Sequence, residues 1–146
     1  MLDDQVQALE AELLTLLAAR FRQEMQLLRS IPGIGRKTAG LLPLFAGGFT
    51  RLDKYRQLIV KAGLSPREYT SGTSVRGKVR IPKMGGGLIR GKLFMCSFAA
   101  RKFNAPCKAL YDRLVAKGKN GKVALIAVCN KPLKQAFALV KSGVPY

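Results

Sequence analysis

The stretch "SIPGIGRKTAGLL", residues 30–42, closes one helical pattern and opens another. Pro32 and Gly33 stop a preceding helix, because proline lacks an N–H donor and glycine costs backbone entropy. Ile31, Pro32, Gly33, Ile34, Gly35, Ala39 and Leu42 then follow the order of a helix-hairpin-helix element, placed at 30–45. Gly33 and Gly35 permit a tight turn with exposed backbone N–H groups. The next helix contributes the partial positive charge of its N-terminus, and Arg36 and Lys37 contribute full charges. Such a set grips a backbone phosphate without reading a base. A plain corner with a glycine-rich turn has the same spacing; the basic character of the chain favours phosphate.

Outward from this turn the chain reads as mainly α. Toward the N-terminus, Val6, Leu9, Leu13, Leu16 and Arg20 recur at 3-4-3-4 spacing, with Leu14 and Leu17 widening the stripe. One helix over 2–29 is expected, either the end of a coiled coil or an amphipathic helix on its own domain. Toward the C-terminus, helices are expected at Lys54–Ala62, Leu88–Phe103, Cys107–Ala116 and Val123–Val140, the last bent near Pro132. Residues 66–87 read as an irregular or short β-hairpin loop. The organisation is a helical segment 1–29 followed by a domain 30–146, with no internal repeat.

Charge narrows the partners. The 146 residues carry 26 Lys+Arg, 8 Asp+Glu and no histidine. Five of the acids lie in residues 1–24, leaving 24 bases against three acids from residue 25 onward, a net of +21. A globular segment so basic repels itself unless a polyanion neutralises it, and nucleic acid is the leading partner. An anionic membrane surface is the bland alternative. No continuous apolar run reaches the length of a membrane span, since Lys131, Pro132 and Lys134 interrupt 123–140. No secretory signal pattern opens the chain. Cys96, Cys107 and Cys129 are scattered and unaccompanied by histidine, so buried, reduced thiols are expected, with neither zinc site nor disulfide framework.

The loop "YTSGTSVRGKVRIPKMGGG", residues 69–87, is rich in glycine, lysine and arginine and has no carboxylate. A P-loop fails there: Gly72–Gly77–Lys78 is followed by Val79, and Gly86–Gly91–Lys92 by Leu93, so the magnesium-holding hydroxyl is missing. A two-metal nuclease needs clustered carboxylates, and only Asp53, Glu68 and Asp112 remain after residue 24. A histidine-based triad is excluded. Ser71 or Ser74 could act on a phosphodiester among Arg67, Arg76, Lys78, Arg80 and Lys83, with Gly72 allowing close approach of a backbone. The competing reading is a loop whose serines only bind phosphate or solvent.

The ordered motifs "IPGIGRKTA", "AGLSPREYTSGTSVRGKVRIPKMG", "IRGKLFM" and "VALIAV" resemble the C-terminal half of the IS-one-ten / IS-eleven-eleven type insertion-sequence transposases, over about residues 25–146. The resemblance implies a transposase domain with a serine nucleophile just before a glycine, in a Pro-Arg context. The matching position is Ser71, after Pro66-Arg67 and before Gly72, with Ser74 the runner-up. It further implies DNA as partner, and the charge pattern and motifs place the expected DNA contacts at Gly33, Gly35, Arg36, Lys37, Arg67, Gly72, Arg76, Lys78, Arg80, Lys83 and Arg90. A structured guide RNA, self-association through the N-terminal helix, no membrane, and a bacterial cytoplasmic, nucleoid-associated setting complete the expectation. The family's four-carboxylate, RuvC-like domain is absent from this sequence. A divalent metal is therefore expected in that missing domain and none in this chain, which alone should bind DNA and cut it poorly or not at all. Gly86 stands where the family's usual pattern has Asn, Gly91 where it has a basic residue, and Asn130 and Pro132 where a basic and an apolar residue are expected. Two other readings remain: a stand-alone helix-hairpin-helix nucleic-acid-binding module without catalysis, and a structural RNA-binding protein of ribosomal type.

Overall fold

The computed structural model describes residues 1–65 and 86–146, together with the backbone of 70–71 and 75–76. Helix α1 (Leu2–Arg20) carries Asp3 and Asp4 in its first turn, where carboxylates suit the helix dipole. Helix α2 (Arg22–Arg29) follows at once. The single helix expected over 2–29 is thus broken at Phe21, whose φ of −119° and ψ of 39° leave the helical region. No proline or glycine causes the break. The hydrogen bonds Phe21 N–H to Leu17 C=O (2.7 Å) and Met25 N–H to Phe21 C=O (2.8 Å) flank it. Burial of Phe21 with Leu17 and Met25, beside Leu41, supplies the driving force. The change of direction lets α2 pack on α3 and α8, and Leu28 enters the main core.

The turn after α2 is tied at both sides. Ser30 Oγ donates to Leu27 C=O at 2.6 Å, and Ile34 N–H to Ile31 C=O at 3.1 Å. Gly33 has a φ of +104°, and a Cβ there would lie 2.8 Å from the Ala100 amide nitrogen. Helix α3 (Arg36–Phe45) then runs to a 3₁₀ turn at Gly47–Phe49 and helix α4 (Tyr55–Lys61). The two-residue strands β1 (Thr70–Ser71) and β2 (Val75–Arg76) pair antiparallel, Thr70 opposite Arg76 and Ser71 opposite Val75. The remainder of the 66–85 loop lies outside the described residues.

Helices α5 (Gly87–Phe103) and α6 (Ala105–Ala116) meet at Asn104. The Asn104 side chain is buried and bonds Gln135 at 2.8 Å and Pro32 C=O at 3.4 Å, so it braces the hairpin turn. Pro106 sits in the first turn of α6, where its missing N–H costs nothing. Helix α7 (Gly121–Val128) is capped by Lys122 N–H donating to the Asn120 side-chain Oδ1 at 2.9 Å. Helix α8 (Asn130–Ser142) ends at left-handed Gly143. The expected bend falls at Cys129, because Pro132 offers no N–H to Val128 C=O and its ring crowds that carbonyl.

Leu28, Leu42, Phe49, Leu58, Leu93 and Leu133 fill the main core, and Ala100, Cys107 and Val128 a smaller one. Among the described residues, Gly121–Ser142 is the helical stretch long and apolar enough to cross a membrane. Here its Ala124, Leu125, Val128, Leu133 and Ala136 face is core. Cys96, Cys107 and Cys129 are free and buried. Desolvation pushes the Cys107 and Cys129 thiols up to about 11.

Candidate nucleic-acid interface

The two hairpin glycines have separate duties. Gly33 lies against α5, where only a glycine fits. Gly35 is the exposed N-cap of α3, and a Cβ added there would have nothing within 4 Å. Its lack of a side chain leaves the first N–H groups of α3 without a side-chain cap. Ala39 N–H, bonded to Gly35 C=O at 2.9 Å, starts the helical ladder. Arg36 and Lys37 project from this end, both exposed. Lys37 does not face solvent alone: its Nζ donates to Glu10 of α1 at 2.6 Å. That hydrogen bond, then the Lys37 charge, holds the Glu10 carboxyl below its usual range.

Glu10 and Lys37 also line a groove of about 220 Å³ between α1, α3 and α5, with Leu13, Leu41, Leu88 and Lys92. Leu88 and Lys92 belong to the first turns of α5, which begins where the serine-bearing loop ends. The exit of that loop therefore adjoins the start of α3. The loop's two ends also meet each other. Gly86 is left-handed (φ +57°), and a Cβ on it would lie 2.9 Å from Ala62 C=O, just before the loop departs after Ser65. Arg90, half-buried on α5, follows this junction.

Ser71 is placed in β1 and Arg76 in β2 by backbone alone. Arg67, Gly72, Ser74, Lys78, Arg80 and Lys83 lie outside the described residues, as does Glu68. Among the described residues no three His, Cys, Asp or Glu side chains gather where they could hold a metal.

A second cleft escaped the sequence reading. Tyr55 and Arg56 of α4 face Asn130 and Lys134 of α8 across about 440 Å³, beside Ile59 and Leu64. Lys134 Nζ sits 4.9 Å from the centre of the Tyr55 ring. Ser65, the last described residue before the loop, lies on its edge. The only sequence signals were "YR" opening α4 and the i, i+4 pair Asn130/Lys134, and nothing in either connects the two helices.

Residues 25–112 match the family model described as "Transposase IS116/IS110/IS902 family". The chain is 32% identical over 143 residues to the "Insertion element IS110 uncharacterized 43.6 kDa protein" of Streptomyces coelicolor, covering 98% of this chain and 35% of that protein. It is 31% identical over 121 residues to the "Pilin gene-inverting protein" of Moraxella lacunata, covering 82% of this chain and 38% of that one. The Moraxella bovis protein of the same name matches equally, at 31% over 121 residues. The chain thus spans little more than a third of these relatives' length. A match running from α2 through the hairpin and the serine loop into α6, together with relatives aligned along nearly all of the chain, shows that it belongs to the IS116/IS110/IS902 transposase family.

Proposed function

We propose that this chain is the DNA-binding, serine-bearing portion of a transposase or recombinase that moves or inverts a DNA segment. The family match across residues 25–112 carries the reading, because it contains both the hairpin and the loop with Ser71. The names of the relatives, an insertion-element protein and two gene-inverting proteins, agree with DNA rearrangement. The helix-hairpin-helix at 30–45 holds the DNA backbone through Gly35, the start of α3, Arg36 and Lys37. Ser71 Oγ attacks a phosphodiester: an Oγ–P bond forms, the P–O bond to one sugar breaks, and the departing sugar oxygen takes up the serine proton. The resulting phosphoserine link keeps the bond energy for rejoining. Arg67, Arg76 and Lys78 offset the charge on the transferring phosphate. Carboxylates and a divalent ion belong to the rest of the full-length protein, and a guide RNA and self-association through α1 belong to the same reading.

The experiment uses a full-length relative carrying this segment and traps the covalent protein–DNA adduct. The adduct disappears in Ser71→Ala and persists in Ser74→Ala. Persistence in Ser71→Ala with loss in Ser74→Ala moves the nucleophile to Ser74. Persistence in both returns the loop to phosphate binding, and the chain to a helix-hairpin-helix binding module.

A further inference from the structure

We infer that the cleft between α4 and α8 is a pocket for one unpaired nucleotide of a single-stranded nucleic acid, with Tyr55 against the base and Arg56 and Lys134 on the phosphate. The inference rests on the proposed reading only for the class of partner.

A nucleotide needs a flat apolar surface, a cation and a hydrogen-bond partner for the base edge. The cleft supplies all three. The Tyr55 ring, Ile59 and Leu64 form the apolar wall, and Arg56 and Lys134 are both exposed. Its described lining contains no carboxylate, so an anion meets no repulsion there. A volume of about 440 Å³ lies within the range of small-ligand pockets. Base–aromatic stacking beside cations is the general solution for holding single strands.

Asn130 is an independent observation. Its Oδ1 is buried and has no hydrogen-bond partner among the described residues. Burying an acceptor unpaired costs free energy, so such an atom calls for a donor, and a turn of the Asn130 amide toward the cleft it lines would offer it one. Every nucleobase carries an N–H on its pairing edge, free only when the base is unpaired. The Lys134 ammonium, 4.9 Å from the Tyr55 ring centre, occupies the place a base would take. An entering nucleotide gives that ammonium a phosphate in exchange for the ring face. The Arg56 guanidinium on the Tyr55 phenol, with the Lys134 charge, holds that hydroxyl below its usual range, as a cationic cleft should. Ser65 puts the pocket beside the point where the chain enters the segment that carries Ser71.

The test is fluorescence anisotropy of the full chain with labelled mixed-sequence DNA and RNA single strands and with duplex DNA, over a salt series. Tyr55→Leu should weaken single-strand binding about tenfold, the scale of one stacked base, and duplex binding less than about twofold. Tyr55→Trp should restore it. Lys134→Gln, a change at an exposed position, should lower the single-strand salt slope by about 0.7. Loss on DNA, on RNA, or on both supports the pocket and identifies its source. No loss in Tyr55→Leu, an unchanged slope in Lys134→Gln, or equal losses on single strand and duplex overturns it. Wild-type protein that binds single strands but not duplex leaves the pocket standing and removes the DNA-rearrangement reading instead.

Discussion

Gly33→Ala tests why the turn between α2 and α3 requires a glycine. At a φ of +104° an L-residue is strained, by about 1–2 kcal/mol even in the kinder left-handed region. The added Cβ would meet backbone and side chain of Ala100 at 2.8–3.0 Å. Backbone cannot rotate away as a flexible side chain can, so overpacking adds about 1–3 kcal/mol. The sum, about 2–5 kcal/mol, is a large share of the about 5–15 kcal/mol that holds a typical domain. For a chain of 146 residues, each kcal/mol moves the melting temperature by about 2–4 °C, so a drop near 10 °C is expected.

Gly35→Ala is the control two residues away. Its φ of −84° and ψ of 175° suit any residue, and its Cβ would point into open space. Only the poorer N-cap remains, about 0.5–1 kcal/mol. Thermal melting by far-UV circular dichroism measures both. A Gly33→Ala protein melting within about 2 °C of wild type would refute the close approach to α5, and with it the account of why this glycine is required.

Three further outcomes follow from the same geometry. Arg36→Ala combined with Lys37→Ala should weaken binding to every DNA sequence alike and reduce the salt slope by up to about two counterions, read by anisotropy; a loss confined to one sequence would contradict a backbone-only role. The Cys107 and Cys129 thiols, raised from 9.0 to about 11, favour their protonated form in the fold, so their stabilisation is complete below pH 9 and fades as pH climbs toward 11; native protein should react with a thiol reagent at neutral pH far more slowly than denatured protein. On α1, Val6, Leu9, Leu13 and Leu16 are 50%, 65%, 43% and 62% exposed, so sedimentation should show self-association that Leu9→Gln with Leu16→Gln abolishes, and a strictly monomeric wild-type chain would exclude the coiled-coil pairing.

Helix existence was legible where glycine and proline punctuate apolar periodicity. Gly86–Gly87 opens α5, Pro106 opens α6, and Gly63 and Gly143 close helices after Lys61 and Ser142. The break at Phe21 was not legible, because its cause is tertiary: three side chains find a pocket on α3 that a straight helix could not fill while also delivering Leu28 to the core. The Pro132 bend was legible to within three residues, and the break falls next to Val128, whose C=O loses its donor four residues on. At the candidate site, the hairpin's charges were visible, but the pairing of Lys37 with Glu10 was not, since 27 residues separate them and no periodicity links them. The cleft of Tyr55 and Lys134 was hidden for the same reason. Ser71 drew its role from resemblance alone; chemistry by itself left it level with other serines in basic loops.

The relation between loop and body follows from where the loop is fastened. Leu64 is buried at its entry, and Gly86 touches Ala62 C=O at its exit, so the two ends emerge from one point on the helical body. Closing a chain of this length costs entropy that grows only slowly with length, and a single tight approach of backbone to backbone is enough to fix its base. Cations flank that base on both sides: Arg56 and Lys134 at the entry, Lys37 and Lys92 at the exit. Under the proposed function, a strand bound on either side of that base lies beside the root of the loop. The body supplies charge and position, and it contains no carboxylate cluster among its described residues to compete with a phosphate. Under the proposed function, that division suits a serine whose activating groups come from another part of the protein, because the root of its loop is held by the helical body.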